Sequence, residues 1–208
     1  TMGAGIPDKI PGVIEAYATG NPATYKIPVV GEKDGYQISF NPAEFFGRSI
    51  PTLKRPGFIP IIASNVLGMA LKRAIPHGKI YGFVIEEPTA GGHNAPPRNK
   101  VDYGDKDIVD YQKIAELELP FWIAGSYASP EKLAWARSVG ASGIQAGSIF
   151  ALSKESGMQE SIRKEIIKRA FNKTLSVRTD MRISPTGFPF KVVEIENTIS
   201  NHDVYESR

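Results

Sequence analysis

Residues 86–98, EEPTAGGHNAPPR, set two carboxylates, two adjacent glycines and a histidine directly behind the apolar run YGFVI. Imidazole is the side chain most easily poised near neutral pH as a base or hydrogen-bond donor, which makes His93 the leading catalytic residue on chemical grounds. Ala90, Gly91 and Gly92 carry little or no side chain, so the backbone there can approach a ligand closely. Glu86 and Glu87 do not form an acid/base pair, because neighbours on a strand point to opposite faces; at most one of them faces a site. Pro96 and Pro97 stiffen the continuation, and Arg98 reads as a surface arginine that could meet an anion.

Two further stretches have the same character. AGSYAS follows the apolar run LPFWI, and QAGSIF follows SGI. In each a glycine is followed by a serine, Gly125-Ser126 and Gly147-Ser148, which offers backbone N–H groups and a hydroxyl without a crowding side chain. Two such turns side by side make a phosphate cradle. Gln145 and Ala146 lie at the end of the strand before the second turn. His77 reads as a surface turn and His202 as a tail residue. The three histidines and the carboxylates lack the spacing of a metal site, and no metal is expected.

The elements that must position these turns repeat along the chain. GFIPIIAS, YGFVIEE, LPFWIAGS and SGIQAGSIF are strand-like, rich in β-branched and aromatic residues, and end in small ones. Amphipathic stretches lie between them, predicting helices over Asn65–Ile75, Asp107–Leu117, Pro130–Val139 and Gln159–Phe171. Ser129 and Pro130 form a cap and first position for the third of these, and Gly140 is its stop. Run-like strands alternating with helices predict an α/β protein with a mostly parallel sheet, open or closed into a barrel. All three glycine-bearing turns then fall at the C-terminal ends of strands, on the face where such folds carry their sites. About residues 20–55 break the pattern: two strand-like runs flank Glu32-Lys33-Asp34-Gly35, whose Asp-Gly predicts the turn of an inserted antiparallel hairpin. About residues 176–208 form an irregular tail with one alternating run, Lys191–Ile195, and no helix signal. Trp122 reads as strand packing and Trp135 as a rim residue of its helix.

Composition removes several function classes. With 208 residues and 41% hydrophobic content the chain can bury a core as one domain. Twenty-five basic against 22 acidic residues give a net charge of +3 with no concentrated basic face, so no nucleic-acid partner is implied. The absence of cysteine excludes disulfides, thiolate nucleophiles and cysteine-based metal sites. The longest apolar run, GFIPIIASNVLGMALK, is interrupted by Pro60, Ser64 and Asn65, so no membrane span is expected. A cytoplasmic location is expected. Thr1-Met2-Gly3-Ala4-Gly5 looks like a strand end running into a turn, and the chain is read as part of a longer polypeptide.

Five blocks in order, MGAGIPDKIPGVIEAY, VIEEPTAGGHNAPPR, LPFWIAGSYASPEKL, GIQAGSIFALSKESG and SPTGFPFKVV, resemble the nitronate monooxygenases, formerly 2-nitropropane dioxygenases, and the related flavin-dependent enoyl-ACP reductases. The resemblance runs from Met2 to about Val193. It implies a (β/α)8 TIM barrel with FMN at the C-terminal strand ends, here the C-terminal portion of that barrel. It implies that the FMN phosphate rests on Gly125-Ser126 and Gly147-Ser148, that Gln145 and Ala146 lie near the cofactor, that Ala90, Gly91 and Gly92 pass beside the flavin, and that His93 is the catalytic histidine. The implied activity is oxidation of nitronates or nitroalkanes by O2 to carbonyl compounds and nitrite. The alternatives are an FMN-dependent enoyl-ACP reductase, or a non-catalytic fragment that binds a phosphate ligand or a partner.

Two departures carry expectations of their own. A complete barrel needs about 250 residues and eight strands, whereas four β/α units are visible. The remaining strands are then expected from the missing N-terminal half or from self-association into a homo-oligomer. At Ser126 the family has a second glycine, so the backbone there is expected to keep φ below zero.

Overall fold

The structure is a computed structural model, and it describes residues 7–47, 50–76, 79–99 and 102–207. Its centre is a four-stranded parallel sheet of β3 (Ile61–Ile62), β4 (Phe83–Glu86), β5 (Phe121–Ala124) and β6 (Gly143–Gln145), hydrogen-bonded in that order. A parallel bridge between Phe58 and Ile80 extends the first pair. Among the described residues neither β3 nor β6 has a further strand beside it, so the sheet stays open rather than closing into a barrel.

Alternation along the strands sorts the side chains into two layers. Phe83, Ile85, Phe121 and Ile123 point one way and are fully buried with Ile62, Leu71, Ile114, Leu117 and Ala136. Each such side chain contributes roughly 1.5–3 kcal/mol by leaving water. Val84, Glu86, Trp122 and Ala124 share the other face, where Val84 pairs with Trp122 and Glu86 with Ala124. The Trp122 indole lies across its neighbours on both sides. A Cβ on Gly82 would come within 2.7 Å of its Cζ3, and one on Gly143 within 3.2 Å of its Cδ1, so both positions need glycine for close approach.

The crossover helices are those their caps predict. α3 (Asn65–Ala74) is capped by Ser64, whose hydroxyl accepts from the Leu67 N–H at 3.3 Å. α5 (Pro130–Ser138) is capped by Ser129 accepting from Lys132 N–H at 3.3 Å, and it ends where Gly140 adopts φ +90°. α7 (Glu160–Phe171) packs Ile166 inward. The predicted helix over Asp107–Leu117 is shorter, α4 being Tyr111–Ala115 behind a single 3-10 turn at Asp105–Asp107. Asp107 turns back to accept from the Arg98 and Gly104 N–H groups, and Asp110 is the cap.

Before the sheet come α1 (Ile10–Ala18), the antiparallel pair β1 (Ala23–Val29) and β2 (Glu32–Phe40), and the short α2 (Pro42–Phe46). The expected turn at Asp34-Gly35 is not the turn. The chain reverses at Val30-Gly31, where Val29 pairs with Glu32. Asp34-Gly35 instead forms a bulge: Ile27 pairs with Tyr36, which leaves Lys33, Asp34 and Gly35 opposite Pro28 alone. Pro28 has no N–H to offer the ladder, so the partner strand loops out beside it.

The tail also departs from its irregular reading. β7 (Val177–Asp180) pairs antiparallel with β8 (Phe190–Val193), and the single-turn-plus helix α8 (His202–Glu206) is capped by Asn201, whose side chain accepts from Asp203 and Val204 N–H. β6 is followed by one further short helix, α6 (Ser148–Ala151). His77 and the opening Met2-Gly3-Ala4-Gly5 lie outside the described residues.

Gly82→Ala is expected to destabilise the protein by about 1–3 kcal/mol, since the new methyl meets Pro120 O at 2.4 Å as well as Trp122. Gly12→Ala, inside α1 with nothing within 4 Å of its Cβ position, is expected to stabilise by up to about 1 kcal/mol. Urea unfolding curves of the two variants measure both signs.

Candidate functional site

The turns that follow β4, β5 and β6 meet at one face. Gly125 has φ +123°, and a Cβ on it would lie 2.8 Å from Thr89 Oγ1, 3.0 Å from Glu87 Cβ and 3.2 Å from Ala90 N. A Cβ on Gly91 would lie 2.8 Å from Ser148 Oγ. Glycine at 125 lets the turns after β4 and β5 lie together, and glycine at 91 leaves room for the Ser148 hydroxyl.

Between them is a cavity of about 360 Å³. Ala90, Gly91, Gly92, Gly125, Ser126, Gln145, Ala146, Gly147 and Ser148 all line it, so the sequence-predicted cofactor residues come together. Gly147 borders open space, with nothing within 4 Å of its Cβ position. Ser148 and Ile149 open α6, so their N–H groups have no partner within that helix. Thr89, Tyr127 and Ile149 line the cavity as well and carry no motif that would have singled them out.

Ser126 does not follow the expected backbone. Its φ is +58°, in the left-handed region, where a glycine sits without strain. The residue after it explains why the strain is held. Tyr127 is buried, donates its hydroxyl to Glu87 Oε1 at 3.2 Å, and packs its ring against Trp135 at 5.6 Å. Tyr111, at the start of α4, donates to the same Glu87 oxygen and meets Trp135 edge-on at 5.5 Å. Burial pushes both phenols above their ordinary range, and the neighbouring carboxylate adds to it. One carboxylate thus ties α4, the turn after β4 and the turn after β5 into a unit. Trp135, 41% exposed, is the outer wall of that unit.

Glu86 takes the other side of the strand. It lines the cavity, and its Oε2 accepts from the Ala95 N–H at 3.0 Å. Burial raises its carboxyl above the ordinary range, while the Ala95 N–H and Lys191 pull it partly back. Sequence reasoning limited the site to one of the two glutamates, and the strand's register selects Glu86.

His93 does not line the cavity. Its Nε2 is 2.6 Å from Ser184 Oγ, its ring meets Phe190 edge-on at 4.7 Å, and its backbone bridges to Phe190 on β8. Ser184 is buried and also lies 2.6 Å from Thr186 Oγ1. The histidine is therefore clasped between the turn after β4 and the tail, one residue beyond the Gly92 wall.

A second cavity, about 510 Å³ and mainly apolar, adjoins the first through Thr89, Gly91, Gly92, Ser126, Ser148 and Ala151. Met158, Ile166, Leu175, Val177 and Val193 line it, with Lys191 as its charged residue. Lys191 Nζ donates to Thr179 Oγ1 at 2.6 Å and stands 5.1 Å from the Tyr103 ring centre. Burial lowers its pKa and Glu86 opposes that shift. The tail pairing that brings Lys191 here is long-range, and the sequence showed only its alternating strand.

No protein-family profile matches the chain, and no curated protein matches it. Among solved structures it is similar to FabK from Thermotoga maritima, at 24% identity and a TM-score of 0.49, over 66% of this chain and 39% of that one. A single-substitution mutant of the same protein matches at 24% identity and a TM-score of 0.45, over 65% of this chain and 39% of that one. The chain thus spans about two-fifths of the length of these solved relatives. Among the described residues no helix is long and apolar enough to cross a membrane.

Ser126→Gly is expected to stabilise the fold by about 0.5–1 kcal/mol, the relief of left-handed strain being offset in part by greater freedom of the unfolded chain. A rise in the urea midpoint at unchanged slope checks it.

Proposed function

We propose that this chain is the cofactor-cradling portion of an FMN-dependent oxidoreductase. The observation that carries the reading is the convergence of the Gly91-Gly92, Gly125-Ser126 and Gly147-Ser148 turns on one cavity. The residues present fit such a ligand. The cavity walls are largely backbone and small side chains, with Gly92 and Gly147 bordering open space, Ser126 and Ser148 add hydroxyls, and the adjoining apolar cavity offers room for a flat ring. Volumes of 360 and 510 Å³ lie in the range of cofactor sites.

In this reading Gly125, Ser126, Gly147 and Ser148 hold the phosphate, while Ala90, Gly91, Gly92, Gln145 and Ala146 border the ring. When bound, FMN supplies the electron transfer. The protein's part is to exclude water, orient the substrate and move its proton. His93, clasped by Ser184 and Phe190 beside the Gly92 wall, is the reading's hydrogen-bond partner for substrate oxygens.

Two activities share this machinery: reduction of an enoyl thioester by a reduced nicotinamide, and oxidation of a nitronate to a carbonyl compound and nitrite. The resemblance of the sequence covers both. NADH consumption with an enoyl thioester supports the first, and nitrite release from a nitroalkane under oxygen supports the second. The unpartnered edges of β3 and β6 among the described residues favour completion of the sheet by further chain or by a second copy.

The protein is expected to quench and bind FMN in a fluorescence titration, and Gly147→Asp is expected to weaken binding by at least about 1.4 kcal/mol, a factor of ten. The substitution meets nothing within 4 Å in the protein, so its circular dichroism and melting curve are expected to match the parent. A parent that binds no FMN, or an aspartate variant that binds it equally well, contradicts the cradle.

A further inference from the structure

The β1–β2 hairpin stands outside the β/α pattern, yet its tip reaches the tail. The two strands close through Val30 and Gly31, with Gly31 carrying the positive φ of the turn, +83°. The Val30 N–H donates to Pro185 O at 2.9 Å. Beside that bond, a Cβ on Gly187 would lie 2.9 Å from Val30 Cγ2, so the valine methyl rests against the bare backbone of residue 187. Val30 is otherwise open to water, at 67% exposure.

The segment that Val30 meets is the one that holds His93. Residues 184–187 make a tight turn between β7 and β8, closed by the Gly187 N–H donating to Ser184 O at 3.0 Å, with Gly187 at φ +77°. Ser184 Oγ accepts from the Thr186 N–H at 3.3 Å and lies 2.6 Å from both Thr186 Oγ1 and His93 Nε2. Thr186 moves with Ser184, because both belong to one turn. A shift of that turn would leave the serine its threonine partner and lengthen only the contact to the imidazole. The turn's own hydrogen bonds therefore do not keep Ser184 on His93; supports outside it do. On one side β8 is tied to the His93 segment, with the Asn94 N–H donating to Pro189 O at 2.9 Å and the Lys191 N–H to Gly92 O at 3.0 Å. On the other side stands Val30.

We propose that the β1–β2 hairpin is a strut for the His93 imidazole, with Val30 as a positioning residue that acts through the 184–187 turn. The inference deepens the oxidoreductase reading, on which it rests for the part His93 plays toward substrate. A hydrogen-bonding group serves a reaction only when held close to one orientation, and that precision comes from the residues packed behind it. Phe190 meets the imidazole edge-on at 4.7 Å, Ser184 fixes its Nε2, and the hairpin tip fixes Ser184. The insertion thereby gains a task in the site without lining either of the two adjoining cavities.

The test follows acylation of His93 by diethyl pyrocarbonate in the full chain without FMN, read by mass spectrometry of the peptide that contains residue 93. An imidazole clasped at Nε2 reacts slowly, and its rate follows the population in which the clasp is open. Val30→Pro deletes the N–H at a position where proline suits the turn, ahead of its positive-φ glycine and behind an extended residue. It is expected to raise the rate about fivefold, the worth of one ordinary hydrogen bond. Val30→Ala keeps the N–H and is expected to give a smaller rise. Ser184→Ala is expected to raise the rate at least as much as Val30→Pro, and adding Val30→Pro to it is expected to raise it no further. Gly187→Ala pushes on the same contact from the tail side and is expected to raise the rate; combining it with Val30→Ala, which removes the obstructing methyl, is expected to bring the rate part of the way back.

An unchanged rate in Val30→Pro overturns the proposal. So does a rise that recurs in full in the Ser184→Ala background, since the hairpin would then loosen the protein without acting through the serine. If Val30→Pro lowers the urea midpoint enough to unfold the chain, the pair of Gly187→Ala with and without Val30→Ala decides, and no return of the rate in the double variant overturns the strut. Acylation involves neither FMN nor turnover. Failure of the FMN titration removes the oxidoreductase reading and leaves the clasp result standing, whereas failure here removes the strut and leaves the cradle.

Discussion

The close approach of backbone at Gly125 is the constraint on which the site depends. With φ +123° and the Thr89, Glu87 and Ala90 atoms within about 3 Å of where a Cβ would stand, the turn after β5 can lie against the turn after β4 only if residue 125 has no side chain. The contact is then locked by chemistry. Glu87 accepts from the hydroxyls of Tyr111 and Tyr127, one on each flanking segment, and Trp135 packs on both rings. A half-buried carboxylate with two donors is less costly than one left unpaired. The aromatic box gives the turns a rigid backing while the opposite side faces the cavity.

This division of labour follows from strand geometry. β4 ends at Glu86, which the pleat sends toward the inner face shared with Val84, Trp122 and Ala124, and Glu87, the next residue, turns toward Tyr111 and Tyr127. Glu87 takes the two tyrosine hydroxyls, and Glu86 lines the cavity with one oxygen held by the Ala95 N–H. The glycines at 82 and 143 serve the same inner face, making room for the Trp122 indole below the site. The tail completes the enclosure: β8 carries Phe190 against His93 and Lys191 into the apolar cavity, so residues nearly a hundred positions apart meet.

Local signals in the sequence were sufficient for much of this. Ser64, Ser129 and Gly140 mark helix ends by short-range hydrogen bonding and backbone freedom, and they mark them correctly. The apolar runs and their glycine-bearing ends place the three turns on one face because a parallel sheet leaves no other arrangement. Readings failed where a distant partner decides. Asp34-Gly35 is a strong turn signal in isolation, yet Pro28 across the hairpin turns it into a bulge. Ser126 is expected from the sequence to keep φ below zero, and only the anchored Tyr127 beside it reveals why a left-handed backbone persists. The clasp of His93 by Ser184 depends on the pairing of β7 with β8, for which 86–98 holds no clue.

The bulge opposite Pro28 also has a bearing on behaviour in concentrated solution. β2 presents almost its whole length to water, with Tyr36 and Ile38 uncovered. A straight ribbon of that kind would be a ready template for strand addition by a neighbouring molecule. Three residues bowed out against a proline break the regular spacing of free amides and carbonyls and increase the local twist. The irregularity works as a built-in guard against strand addition along β2.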